Sequence, residues 1–319
     1  MRMTLTRRKF VLGMSALAAG GCRSLFTGAA TDYDDDLTLF VADIHVSGTE
    51  PEYAYTQDKL RDFVAEVLRM DPLPRRIVFF GDLARFHGRR EDYAVAAKLL
   101  KPLFDAGIDL TMGMGNHDRH DFFFEFFPEY AKRTLVEGSM VSCARLKDCD
   151  ILMLDSLDVS AEGGRGGGAL SLAQQSWLRR ELPQWKRPVI LCAHHDVYEL
   201  KLEGAALSVQ LVREMPMVKG YVCGHVHQWS SEWFHGHQWG GAHRVVRKAS
   251  LPSLGYWGDI GWAEFRTTSE QATLTLRQND FFYARPVGFG EDGVKVRPAV
   301  WDEIVAAHRG ATCTFDLRS

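Results

Sequence analysis

Five short stretches of the chain are continuously apolar: residues 37–42 (LTLFVA), 77–80 (IVFF), 151–154 (ILML), 189–193 (VILCA) and 221–223 (YVC). Runs this short, without polar alternation, read as strands buried on both faces. Between them the period changes. From Asp58 to Met70, residues Leu60, Phe63, Val64, Val67 and Leu68 fall on one helical stripe, and from Glu91 to Phe104 the same holds for Tyr93, Ala96, Ala97, Leu100 and Phe104. Ser171-Leu-Ala-Gln174 has the form of a capping box, opening a helix in which Trp177, Leu178 and Leu182 share a face before Pro183 ends it. Strand and helix therefore alternate, which predicts an α/β fold.

Beyond residue 240 the pattern becomes alternating, in Trp262-Ala-Glu-Phe-Arg-Thr and Ala272-Thr-Leu-Thr-Leu-Arg, which predicts antiparallel strands closing a second sheet. Residues 286–319 read as a C-terminal extension packed on the domain, with a short helix from Asp302 to His308 stopped by Gly310. No repeat and no linker divides residues 32–285, so they read as one domain. The glycine tract from Gly163 to Gly168 lacks the Gly-Lys-Ser/Thr ending of a phosphate-binding loop and reads as a surface loop.

Composition adds little to this, being that of an ordinary globular protein: 319 residues, 46% apolar and 25% charged. The N-terminus changes the picture. A basic head (Arg2, Arg7, Arg8, Lys9) precedes a short Gly/Ala/Ser-rich apolar stretch from Val11 to Gly21, the layout of a signal peptide. Thr6-Arg7-Arg8-Lys9-Phe10-Val11-Leu12 resembles the twin-arginine export signal of bacteria, and Ala19-Gly20-Gly21 before Cys22 resembles a lipoprotein processing site. Residues 1–31 thus read as a signal and short linker. Lipidation at Cys22 and cleavage near Ala29 or Ala30 are both open, and the expected location is the periplasm or the membrane surface. The export machinery is then a partner, and a lipid anchor a second.

Removing residues 1–21 takes four positive charges from a chain whose formal net charge is −3, so the remainder is acidic. No basic surface for a polyanion is indicated, and no nucleic-acid partner is expected. Five cysteines remain after Cys22, an odd set without zinc-finger spacing. Cys192 and Cys223 read as buried, reduced packing residues sharing one face beneath the histidines that follow them, and Cys143 with Cys149 as a pair that export would allow to oxidise.

The chemistry stands at the strand ends. After the first run comes Asp43-Ile-His45; after the second, Gly81-Asp82; after DLTMGM, Gly115-Asn116-His117-Asp118. His194-His195 follows the run at 189–193, and Gly224-His225-Val226-His227 the run at 221–223. The carboxyl edge of an α/β sheet is where such folds gather their sites. An extended segment would project His225 and His227 to the same side. The mixed nitrogen and oxygen donors, with no thiolate, favour Mn, Fe or Zn.

In these motifs the chain resembles the calcineurin-like metallophosphoesterases, over roughly residues 37–265. The resemblance implies a four-layer α/β/β/α sandwich of two mixed sheets flanked by helices, with two metal ions at the strand C-terminal ends. It implies that Asp43, His45 and His227 hold the first metal, that Asn116, His194 and His225 hold the second, and that Asp82 bridges both. It further implies hydrolysis of a small phosphoric ester, diester favoured over monoester, by hydroxide activated between the metals, with His117 acting on the phosphoryl group or leaving oxygen and Asp118 orienting it. Two departures stand out. Arg85 occupies a position often held by Asp or Asn, and is either a substrate-anion ligand or an exposed arginine paired with an acid. His194-His195-Asp196 replaces the common His-His-Pro, which makes His195 a cleft-lining candidate for substrate contact. The rival to an enzyme is a noncatalytic, metal-holding envelope lipoprotein that binds a phosphorylated ligand or a protein partner.

Three further features read blandly: the aromatic run from Asp121 to Phe127 as helix packing, the histidines at 235, 237 and 243 as a hairpin or loop, and the oligomeric state as open.

Overall fold

A computed structural model of the chain describes residues 31–158, 167–235, 245–256, 258, 260–278 and 308–318. The segment read as an export signal, with Cys22, most of the glycine tract, His237, His243 and all but the last residue of the helix predicted at 302–308 lie outside the described residues. In chain order the strands are β1 (Tyr33–Val41), β2 (Leu73–Phe79), β3 (Asp109–Met112), β4 (Ser142–Arg145), β5 (Asp150–Met153), β6 (Val189–Ala193) and β7 (Lys201–Leu202). They continue as β8 (Ala205–Ala206), β9 (Val218–Cys223), β10 (Ser230–His235), β11 (Val245–Ser250), β12 (Trp262–Thr267), β13 (Gln271–Arg277) and β14 (Thr312–Asp316). The helices are α1 (Ala54–Val67), α2 (Arg90–Asp105), α3 (His120–Phe126), α4 (Pro128–Arg133), α5 (Leu172–Glu181) and α6 (Leu207–Glu214).

Two six-stranded mixed sheets carry the fold, in the orders β14-β13-β12-β1-β2-β3 and β10-β11-β9-β6-β5-β4. The five apolar runs lie in β1, β2, β5, β6 and β9, five of the parallel strands at the centres of these sheets. Their continuous apolarity has a direct cause. In β1, Leu39 and Val41 face a core shared with Leu60, Phe63, Tyr93 and Leu100 of α1 and α2, while Phe40 faces Phe80 and Phe265 in the core between the sheets. In the second sheet Ile190 and Cys192 face that inner core, and Val189 and Leu191 pack with Leu178 of α5 and Leu211 of α6. Helix, sheet, sheet and helix thus form four layers, and both faces of every central strand are buried.

Several local expectations change. α1 starts a turn before its apolar stripe, because Pro51 opens a 3-10 turn (Pro51–Tyr53) that leads into it. At α5 the Ser171 hydroxyl caps the Gln174 amide as predicted, but the Gln174 side chain does not close the box. It is buried and clamps the backbone N–H and C=O of Asp155 instead. β12 and β13 are antiparallel strands as the alternation indicates, yet they extend the sheet of β1 rather than close another. Within the extension, residues 312–316 form β14, the edge of that sheet.

Phe123 and Phe127 of the aromatic run are core residues. Cys192 and Cys223 are buried free thiols on opposite faces, not a shared one: β6 and β9 pair Cys192 with Val222 and Ala193 with Cys223. Cys143 and Cys149 are also free; the β4–β5 register sets Cys143 opposite Leu152. No helix among the described residues is long and apolar enough to cross a membrane.

Candidate metal centre

The loops following β1, β2, β3, β6 and β9 meet at one edge of the sandwich, tied to one another by backbone hydrogen bonds. His45 N–H donates to the Asp82 carbonyl (2.9 Å), Gly224 N–H to the His194 carbonyl (3.0 Å), and His225 N–H to the Asp43 carboxylate (3.1 Å), which links the two sheets. The chain turns sharply where it leaves the strands. Five of the seven metal-ligand candidates, Asp43, His45, Asp82, His225 and His227, have φ between 49° and 67°. Non-glycine residues rarely adopt this region, and where they do the surrounding structure holds them for a purpose. The expectation of an extended segment through His225 and His227 is therefore corrected: left-handed turns aim their rings at neighbouring but different clusters.

One cluster is Asp43, His45, Asp82 and His227, all buried; the other is His194, His195 and His225. His45 Nε2 lies 3.3 Å from His227 Nε2, and His227 Nε2 lies 3.1 Å from Asp43 Oδ1. Asp82 joins the clusters, with Oδ2 3.5 Å from His45 Nε2 and 3.3 Å from His194 Nε2. Asn116 enters beside the second cluster, its Oδ1 3.1 Å from His194 Nε2. Glycines make this crowding feasible. A Cβ on Gly115 would stand 2.2 Å from Asp82 Oδ1, and one on Gly224 2.9 Å from Asp43 Oδ2.

The donor set fits a metal pair on grounds internal to the structure. His194 Nδ1 donates to the Phe80 carbonyl (2.9 Å), so its Nε2 presents a lone pair when the ring is neutral. That lone pair faces a carboxylate oxygen and an amide oxygen, and three acceptors converge on one point. Such an arrangement needs a positive charge, from a metal ion or a proton. Burial lowers the proton affinity of His194, but the adjacent Asp82 carboxylate outweighs it and lifts the imidazole to about 9. Asp82 is likewise pushed up by burial, yet His194, His117 and His45 hold it well below the usual carboxylate range. At His45 burial prevails and keeps the ring neutral, the form that ligates.

His117 borders the first cluster, its ring 5.3 Å from that of His45, and its backbone N–H donates to Asp82 Oδ1 (2.9 Å). The expectation that Asp118 orients it is corrected. The buried Asp118 carboxylate accepts from the N–H groups of Leu83, Ala84 and Gly115 (3.0–3.3 Å) and from the Tyr93 hydroxyl (3.2 Å), riveting the β2 and β3 loops together. Burial, with the Asp82 charge, lifts its carboxyl to about 6 against those three backbone donors. The His117 ring is set by Phe86, whose carbonyl accepts from Nδ1 at 2.8 Å and whose ring stacks on it at 5.4 Å.

The departures resolve differently. Asp196 pairs with the buried Lys248, which also meets Glu232 at 2.7 Å. His195 is fully buried, with Nδ1 2.9 Å from the Ser156 hydroxyl, so it does not line an open cleft. Arg85 is paired with an acid, Glu50 (2.8 Å), but is 6% exposed rather than a surface residue. Its neighbours Glu50, Tyr53, Tyr55 and Tyr256 had no signal in the motifs. Tyr256 lies far along the chain from Asp43 and His45, yet its ring is 5.0 Å from that of His45.

A family model for calcineurin-like phosphoesterases matches residues 37–229, more than half of the chain. The chain belongs to the calcineurin-like phosphoesterase family. No curated protein matches it. Among solved structures, TT1561 of Thermus thermophilus is similar over 72% of this chain and 94% of its own, at 11% identity and a TM-score of 0.44. The Thermus thermophilus sulfate thiohydrolase SoxB, in complex with glycerol, covers 73% of this chain and 54% of its own, at 10% identity and a TM-score of 0.43. Zinc-bound Vps29 of Entamoeba histolytica covers 75% and 91%, at 12% identity and a TM-score of 0.34.

Proposed function

We propose that the protein is an exported phosphoric ester hydrolase, with a diester as the favoured substrate. The observation that carries this reading is the convergence of Asp82 Oδ2, Asn116 Oδ1 and the lone pair of His194 Nε2, beside a second buried set of Asp43, His45 and His227. Asp43, His45 and His227 would hold one ion; Asn116, His194 and His225 the other; Asp82 would bridge them. A bound pair of divalent ions supplies an activated water and neutralises charge on the phosphoryl oxygens. With Nδ1–H committed to the Phe86 carbonyl, His117 has Nε2 as the atom that exchanges a proton with the leaving oxygen. Asp118 serves by holding the two loops in register, which keeps Asp82 and His117 at their spacing.

The test is turnover of bis(p-nitrophenyl) phosphate and p-nitrophenyl phosphate by protein loaded with Mn, Fe or Zn and by the same protein after chelation. The expected result is diester hydrolysis that disappears on chelation and returns with metal. Two tightly bound ions without turnover of any phosphoric ester would instead support a noncatalytic metal-holding protein.

Export belongs to the same proposal and rests on the sequence of residues 6–22. Twin-arginine export carries proteins that have already folded, so changing Arg7→Lys together with Arg8→Lys is expected to strand active enzyme in the cytoplasm. Unchanged delivery to the envelope would refute the signal, and the mass of the mature N-terminus distinguishes lipidated Cys22 from a start near Ala30.

A further inference from the structure

Two buried polar atoms, Arg85 Nη1 and Tyr55 Oη, have no hydrogen-bond partner among the described residues. Buried donors left in this state are uncommon, because each loses its hydration without replacement. They belong to one cluster. The Arg85 guanidinium lies over the Tyr53 ring and 5.0 Å from the centre of the Tyr256 ring, and the Tyr53 and Tyr55 rings are 6.3 Å apart. Glu50 accepts from Arg85 Nε at 2.8 Å and also faces Arg89 Nη1 at 3.6 Å, so two guanidinium groups share one carboxylate. The aromatic rings hold the guanidinium in place by stacking. Tyr53 and Tyr256 are only part-buried, which leaves the rim of this cage open to solvent.

The cage shares a wall with the metal centre. Tyr256 stands 5.0 Å from Arg85 on one side and 5.0 Å from His45 on the other. The loop that supplies Arg85 begins at Asp82 and continues to Phe86, which orients His117. The Tyr256 ring thus neighbours both the metal centre and the Arg85 fork.

We propose that Arg85 and Tyr55 form a subsite for a second oxyanion, carboxylate or phosphoryl, carried by the substrate next to its scissile phosphoryl group. The guanidinium edge not used by Glu50 supplies the charge-assisted donor, and the Tyr55 hydroxyl a second. This rests on the phosphoesterase reading, and it narrows the substrate class to phosphoric esters with an additional anionic group.

The test uses the full chain loaded with manganese and two non-hydrolysable probes, 4-phosphonobutyrate and butylphosphonate, which differ in the carboxylate. Calorimetry is expected to show the carboxylated probe binding about tenfold tighter, a ratio within reach of one charge-assisted contact. Arg85→Met should bring the ratio close to one, Arg85→Lys should retain part of it, and Tyr55→Phe should reduce it. The lysine and phenylalanine variants keep the measurement informative if Arg85→Met does not fold. Equal affinities in the wild type, or a preference that persists in every variant, would overturn the subsite. Turnover of methyl p-nitrophenyl phosphate is measured alongside. Its absence, together with no turnover of bis(p-nitrophenyl) phosphate, p-nitrophenyl phosphate or a carboxylated phosphodiester, with the probe preference intact and lost on Arg85→Met, would remove the phosphoesterase reading while leaving the oxyanion subsite standing.

Discussion

Asp82→Ala is expected to lower kcat/KM for a phosphodiester by about 10³-fold or more, a loss corresponding to several kcal/mol of transition-state stabilisation. The loss should exceed that of His227→Ala. An oxygen of the Asp82 carboxylate reaches both clusters, 3.5 Å from His45 Nε2 and 3.3 Å from His194 Nε2, whereas His227 belongs to a single cluster. Removing the carboxylate leaves both clusters without their shared anion, so binding of both ions should weaken together. Asp82 Oδ1 also accepts the backbone N–H of His117, so part of the loss could come from a displaced loop. Asp82→Asn separates these effects: it keeps an acceptor for that N–H but lacks the charge. Elemental analysis with activity on the same samples is the check. Two ions per chain and near wild-type turnover in Asp82→Ala would remove the residue from the bridging role.

His117→Ala is expected to slow hydrolysis of a glycerophosphodiester by about 10²- to 10⁴-fold, the usual worth of a general acid, and to slow bis(p-nitrophenyl) phosphate much less. The difference arises at the leaving group, since an alkoxide departs only with a proton and a p-nitrophenolate departs without one. The geometry favours the acid role. The Phe86 carbonyl holds the proton on Nδ1 and the Phe86 ring stacks on the imidazole, so the ring is fixed and Nε2 is the exchanging atom. Equal losses for both esters with metal content intact would mean that His117 stabilises phosphoryl charge common to the two reactions. No loss for either would take it out of the reaction.

Much of this site is legible in the order of amino acids alone. Asp43, His45, Asp82, Asn116, His194, His225 and His227 each follow a strand-like run, and the structure gathers all seven at one edge of the two-sheet sandwich. Local sequence suffices for that because a parallel strand buried on both faces must be continuously apolar, and its carboxyl end must be where polar residues resume. The alternation of runs and helical stripes indicated the α/β architecture for the same reason. Helix starts were less legible, as α1 shows, because a proline turn and not the apolar stripe decides where it begins.

What the sequence by itself determined is therefore the layered architecture, the residue types of the centre and their order along the chain. Which atoms meet was decided only by the tertiary structure. The left-handed turns at His225 and His227 depend on loops from both sheets closing on them, through contacts such as His225 N–H to Asp43, 182 residues apart. Asp118 pairs with Tyr93 and three loop amides rather than with the histidine beside it, because those donors are buried and need an acceptor there. β12 and β13 show their strand period locally, but their sheet is chosen by pairing with β1. Arg85 reads in one dimension as either a substrate-anion ligand or an exposed arginine paired with an acid, and is enclosed in three by Glu50, Tyr53 and Tyr256, which approach from loops that share no local pattern with it. Periodicity reports which face of an element is buried; the partner across that face is set by long-range closure, which a local pattern does not encode.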